Sequence, residues 1–307
     1  MKKFLAVAAV LVVASVHAEE LKFGDLNYFL KQGQINVGAD AIMNNEPSRN
    51  GAFDNEVDGY LFETHAGYAL NDSLNFTLGL NYLFDGKTKI GSNPTANDAG
   101  FQNPKFGANY RLLNQNDTGV NFDVGAVASI KLIDREVSSA NKDGNNINPL
   151  LTNYGEPRNT LDVNARLGKK WNEANEFYVT GGVAYHMDGS YKQLELNKVD
   201  MDSSLDFKLS AFYQYRPVNE FMLTLGIAGT RVGEMDGKDG STKYTQTSHI
   251  DNQVVFNAKF LVNESLIVKF ITTQDNRSNF DLKTAAGNSE YNKRHALQYG
   301  LGLDFIF

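Results

Sequence analysis

Across its 307 residues the chain is 42% hydrophobic, carries a net charge of −7 and contains no cysteine. That is enough apolar content for one large core or two modest ones, but past the first two dozen positions there is no run of roughly 20 apolar residues, which excludes a polytopic helical membrane protein. The missing thiols exclude disulfide frameworks, cysteine nucleophiles and thiolate metal sites, and a pI near 5.3 excludes a basic surface suited to nucleic acid.

The chain opens on an export signal. Lys2 and Lys3 precede an apolar stretch over 4–13, and Val16-His17-Ala18 places small residues where a signal peptidase needs them, so 1–18 is expected to be removed. The apolar stretch is too short to span a bilayer and runs straight into Glu19-Glu20. Its loss takes two lysines and no acids, leaving a mature chain more acidic than the whole. The following segment, 19–33, carries Leu21, Phe23, Leu26, Tyr28, Phe29 and Leu30 and is too apolar to be left in water.

From there an alternation with period two runs to the end, the pattern of strands with one apolar face. Ile35, Val37, Ala39, Ala41 and Met43 supply a first strand. Tyr60 to Leu70 and Leu74 to Phe84 alternate on either side of Asn71-Asp72-Ser73, a tight hairpin. Phe106 to Leu112 leads across 114–119 into Val120 to Leu132; Leu161 to Trp171 leads across 172–175 into Phe177 to Tyr185. Phe207 to Tyr215 leads across 217–219 into Phe221 to Ile227, and Val254 to Val262 turns at Asn263-Glu264-Ser265 into Leu266 to Thr272. Template matching gives about twelve strands. The connections alternate: short near 71, 116, 173, 217 and 264, long and rich in Asn, Asp, Gly, Ser and Lys over 44–56, 86–100, 137–158, 188–203, 233–248 and 275–292. A twelve-stranded up-and-down antiparallel sheet with both termini on the short-turn side has this rhythm, and fourteen strands is the rival count if 137–158 hides another hairpin.

The second face of these strands decides between a soluble and a membrane barrel. It carries Glu63, His65, Lys105, Arg111, Asp123, Lys131, Asp162, Arg166, Asp206, Lys208, Asp251, Lys259, Lys269 and Asp304, each between apolar outward neighbours. Twelve strands tilted by about 40° enclose a backbone radius of roughly 12 Å, too wide for Leu and Phe side chains to fill. Facing lipid, a Lys or Arg near the bilayer centre would cost about 2–4 kcal/mol, so the charges belong in a hydrated interior. On the apolar face Tyr68, Tyr110, Trp171, Phe177, Tyr215 and Phe221 sit near short turns and Tyr60, Tyr82 and Tyr185 toward the long connections, as two interface belts would require. The last strand, 297–307, alternates apolar residues and ends in Phe307.

With these features the chain resembles the outer-membrane β-barrel proteins of Gram-negative bacteria, most nearly their porin-like channels. The resemblance implies a transmembrane barrel over 34–307 embedded in outer-membrane lipid, with short periplasmic turns and long extracellular loops. It also implies that Phe307 addresses the barrel-assembly machinery. Segment 19–33 would then lie on the periplasmic side, either plugging the mouth or packing beside the first strand. The apolar patch Asn148-Pro149-Leu150-Leu151 would suit a loop folded into the channel as well as an exposed one.

Inside such a barrel, small inward residues leave room for water, ions and small solutes. Lys105, Arg166 and Lys208 are the candidates for a cationic constriction, partly offset by Glu63. Lys259, Lys269 and Asp304 come from adjacent strands at similar depth, as do Arg111, Asp123 and Arg166, and each set reads either as an ion-pair cluster that stiffens the wall or as an electrostatic filter. No catalytic constellation emerges. His186, His249 and His295 lie toward the outer end, where they could face one another beside Asp188 and Asp251, but polar residues at strand tips are ordinary. Asp236-Gly237-Lys238-Asp239-Gly240 lacks the ligands of a calcium loop and reads as turn chemistry. The expectation is a channel for passive diffusion of ions and small hydrophilic solutes, with no catalytic residue, metal or cofactor. The alternative is a non-conducting barrel with a structural or surface-binding role through its long loops.

Overall fold

The computed structural model describes residues 29–50, 53–90, 96–132, 136–137, 157–193, 197–263, 265–291 and 294–307. Its strands in chain order are β1 (Ile35–Asn50), β2 (Phe53–Asn71), β3 (Leu74–Ile90), β4 (Ala96–Phe101), β5 (Lys105–Leu113), β6 (Asn121–Ser129), β7 (Glu136–Val137), β8 (Thr160–Asn172), β9 (Asn175–His186), β10 (Gly189–Gln193), β11 (Asn197–Met201), β12 (Ser204–Val218), β13 (Phe221–Val232), β14 (Met235–Asp239), β15 (Thr242–Gln246), β16 (His249–Asn263), β17 (Leu266–Arg277), β18 (Phe280–Thr284), β19 (Gly287–Tyr291) and β20 (Arg294–Ile306). A one-turn helix, α1 (Gln115–Thr118), joins β5 to β6.

Twelve of these strands, β1, β2, β3, β5, β6, β8, β9, β12, β13, β16, β17 and β20, close an antiparallel ring, sealed where β1 pairs with both β2 and β20. β4 continues the line of β5 along β3 after a break at 102–104, so it adds height and no thirteenth member to the ring. Sheet closure leaves no exposed edge around the ring, the arrangement that lets a β structure cross lipid. Four of the five short turns share one device: the side chains of Asn71, Asn114, Asn172 and Asn263 each accept a bond from the backbone N–H two residues on. Such a ring of Asn and backbone replaces the ladder bonds that a tight turn breaks.

The alternation read from the sequence becomes inside and outside. Leu209, Ile227 and Leu301 are each more than 60% exposed, far outside what a water-soluble domain leaves in a continuous belt. Aromatic pairs sit at both margins of this belt: Trp171–Phe177, Phe221–Phe260 and Phe305–Phe307 near the short turns, Tyr82–Phe101 toward the other end. The wall is therefore apolar where lipid would touch it. Lysine in place of Leu225, at the middle of β13, is expected to cost about 2–4 kcal/mol in urea unfolding from lipid vesicles. Lysine in place of the inward Ser210 is expected to cost less than half of that; equal costs would contradict a lipid-facing exterior.

The long connections depart from the expectation of loops. Over 188–203, 233–248 and 275–292 the chain forms the hairpins β10–β11, β14–β15 and β18–β19, which pair side by side with β7 into a second, seven-stranded sheet in the same circular order as the strands beneath. β1 and β2 likewise run through 44–56 as paired strands save at 51–52, which lie outside the described residues. This crown has a small core of Val199, Met201 and Met235 with Tyr244 against it. Burial pushes the Tyr244 phenol up to about 12. Residues 1–28 and most of 137–158, with the signal peptide, the inward-loop patch and the hidden-hairpin alternative, lie outside the described residues.

Where crown meets barrel, buried His249 stacks on Phe280 with ring centroids 4.9 Å apart. Its Nε2 lies 3.6 Å from Asp251, whose carboxylate is held by Arg277 at 3.0 Å. Burial is the largest influence on this imidazole and holds its pKa below the ordinary value against the opposing pull of Asp251, with Arg277 acting in the same direction as burial. A depressed imidazole favours the folded crown while neutral, so that contribution is present above about pH 6.5 and declines as pH falls below it. The protection of amides in β14–β15 and β18–β19, taken relative to their intrinsic exchange rates, is expected to fall between pH 7.5 and 5.5 in the native chain, and His249→Phe should abolish the difference.

Candidate functional site

The inward side chains build the lumen in layers. At the short-turn end they are apolar: Ala69, Met222, Ile267 and Ile306 cluster there, with Leu261 against them. Into this ring the N-terminal residues fold back. Gly33, at φ 81°, takes the left-handed turn that a side chain would resist, and its N–H bonds the carbonyl of Ala69 at 2.9 Å. The Gln32 N–H is held by Asp72 Oδ1 at 2.8 Å. Leu30 completes the apolar cluster, and Phe29 lies under the Arg111 guanidinium, 4.4 Å from its ring centroid. The mouth of the barrel is thus occupied by its own chain.

On one wall an ionic cluster spans β1, β2, β17 and β20. Lys269 Nζ lies 2.7 Å from Asp40 and 2.9 Å from Asp304, and His65 Nε2 lies 2.9 Å from Asp304. Lys259 stands directly across from Lys269 on β16, yet forms no ion pair of its own with a described residue. Glu63 is opposite Asp40 in register and accepts a bond from Asn81 at 2.9 Å.

The far wall carries the other set. Asp123, 2% exposed, lies between two guanidinium groups: Arg111 donates to it at 2.8 Å, and Arg166 Nε approaches at 3.5 Å. Arg166 also faces the ring of Tyr178, 5.7 Å from its centroid. Tyr178 stacks on Phe212 at 4.9 Å, and Phe212 lies over Gly226, where a Cβ would collide with its ring. In register the row reads Gly168, Tyr178, Phe212, Gly226: two inward aromatics fit because the strands on either side present glycine.

Between these walls lies a cavity of about 540 Å³, lined among others by Arg166, Lys208, Asp162, Asn109, Asn164 and Gln253. The three expected constriction cations separate here. Arg166 and Lys208 line the cavity; Lys105 does not line it and has no ion-pair partner among the described residues. Lys208 is not free either, because it pairs with Asp162. Glu63 sits on the other wall, away from the cavity. Of the four constriction candidates, Arg166 and Lys208 therefore share one cavity, while Lys105 and Glu63 lie outside its lining.

The outer histidines do not converge. His186 bonds Thr160 and Asp206, both at 3.0 Å, His249 stacks on Phe280, and His295 bonds Asn276 at 2.7 Å. Among the described residues no group of His, Asp and Glu has the geometry of a metal site. The functional partners that the sequence reading missed are Asp40, Tyr178, Phe212 and the pairing role of Asp162. A signal existed for the aromatics: Tyr178 and Phe212 are out of phase with the apolar stripe of their strands.

No protein-family profile matches the chain, and no curated protein sequence does. Among solved structures, an outer membrane channel from Pseudomonas putida F1 matches 94% of this chain and all of its own, with a TM-score of 0.55 and 15% identity. The translocator domain of the autotransporter NalP from Neisseria meningitidis covers 98% of this chain and 93% of its own at a TM-score of 0.47 and 11% identity, too distant to support any argument. The fold is that of an outer-membrane β-barrel.

Proposed function

We propose that the chain is an outer-membrane channel through which ions and small hydrophilic solutes diffuse passively, exported by a cleaved signal over 1–18 and inserted through recognition of Phe307 by the barrel-assembly machinery. The observation that carries this reading is the contrast across one wall: apolar residues more than half exposed outside, and a polar cavity with two cations inside. Likeness of fold to an outer membrane channel supports it. Phe29 and Leu30 in the mouth favour a second reading, a barrel closed at one end that serves the envelope without conducting.

Planar-bilayer recording of the refolded chain from residue 19 onward separates the two. Steady conductance is expected, and silence over many insertions, with and without 19–34, would leave only the closed barrel. Charge reversal at Lys208 and at Lys105 is expected to move the reversal potential in a KCl gradient toward cation preference, more strongly at Lys208 because it lines the cavity. An unmoved potential for both would remove them from the conduction path.

A further inference from the structure

We infer that the lumenal cavity is a binding site for a small, hydroxyl-rich organic monoanion, its carboxylate held by Arg166 beside Lys208; this deepens, and rests on, the channel reading. Lys208 and Asp162 form an ion pair within the lining and cancel. Asp123 lies between two guanidinium groups, and Arg111 has the closer and two-pronged contact, at 2.8 and 3.4 Å, against 3.5 Å for Arg166. The less closely paired guanidinium is that of Arg166, the member of the two that lines the cavity.

Arg166 is also held in place before any ligand arrives. Asp123 fixes one side and the Tyr178–Phe212 stack the other, so an incoming anion meets a donor fork that needs little reordering. The rest of the lining names the body of the ligand. Asn109, Asn164, Gln253 and Ser210 offer amides and a hydroxyl. The aromatic faces are already covered, Tyr178 by Arg166 and Phe212, and Phe212 by Tyr178 and the Gly226 backbone, which leaves no platform for a flat apolar ring. A volume of about 540 Å³ suits a small molecule.

The test is block of chloride current by D-gluconate in planar bilayers, with acetate as the anion that lacks hydroxyls. Gluconate is expected to block the native channel at least tenfold more strongly than acetate. Arg166→Gln should raise the half-blocking gluconate concentration tenfold or more, Lys208→Gln less, and Arg166→Lys should recover only part, because an ammonium cannot present a planar fork. Lys198→Gln, on the outer face of the crown, should leave the block as it is. Equal block by acetate overturns the hydroxyl-rich assignment, and block insensitive to Arg166→Gln overturns the site. Should no variant conduct, the channel reading fails by itself. Calorimetric titration of the refolded full chain and of Arg166→Gln with gluconate then decides the site: binding by the first alone supports it, and no binding overturns it.

Discussion

Replacing Leu30 with Asp in the full chain is expected to raise the open-to-closed ratio of the barrel mouth by roughly 10- to 100-fold, read as a step up in bilayer conductance. The reason is that residues 29–34 are held by a small margin. Burying Leu30 and Phe29 contributes about 1.5–3 kcal/mol each, the Arg111 contact with Phe29 about 0.5–2 kcal/mol, and the bonds of Gly33 and Gln34 with Ala69 and of Gln32 with Asp72 about 1 kcal/mol each. Ordering six residues costs about 1–2 kcal/mol apiece, a sum of the same size. When gain and cost nearly cancel, the loss of one apolar contact sets the population, and each 1.4 kcal/mol is a factor of ten. A carboxylate in the ring of Ala69, Met222, Ile267 and Ile306 adds desolvation to that loss. Phe29→Ala should act in the same direction and more weakly. Unchanged conductance in both variants would show that the segment does not obstruct the path.

Much of this arrangement was legible from residue order, for a physical reason. A strand between lipid and water must alternate, and a closed ring repeats that alternation at every crossing, so strand number, turn positions and the inward charges could be read without any partner being known. Four of the five short turns were marked by Asn71, Asn114, Asn172 and Asn263, whose side chains replace the missing ladder bonds. The crown was not legible. Its hairpins are polar on one face and only sparsely apolar on the other, with Val199, Met201, Met235 and Tyr244 separated by Asn, Asp, Gly and Lys that read as loop. The cavity was half legible. Arg166 and Lys208 stood out as charges among apolar neighbours; Tyr178 and Phe212 are out of phase with the apolar stripe, but that they stack on each other is visible only once the register sets them side by side between Gly168 and Gly226. Register across strands, more than composition along them, is what a single sequence withholds.

Register also explains why the second large effect is expected at Lys269. Asp40, Lys269 and Asp304 are only 7–8% exposed, although the lumen around them is polar, so water does little to screen them. They lie against the wall because Gly38 and Gly302 have no side chains; a Cβ at either would strike Asp304 or Asp40. Lys269→Met keeps the volume and removes the charge, leaving two buried carboxylates to share His65 and the more distant Lys259. Breaking such a cluster from one side is expected to cost about 3–5 kcal/mol, measured as a lowered urea midpoint in lipid vesicles. Lys259→Met, which removes no direct ion pair, should cost much less. Adding Asp304→Asn to Lys269→Met should restore a large part of the loss, because it removes one of the stranded charges while keeping a polar partner for His65. A cost below about 1 kcal/mol for Lys269→Met would place these side chains in bulk-like water. The cluster would then be an exposed set of pore charges rather than a fastening between β1, β17 and β20.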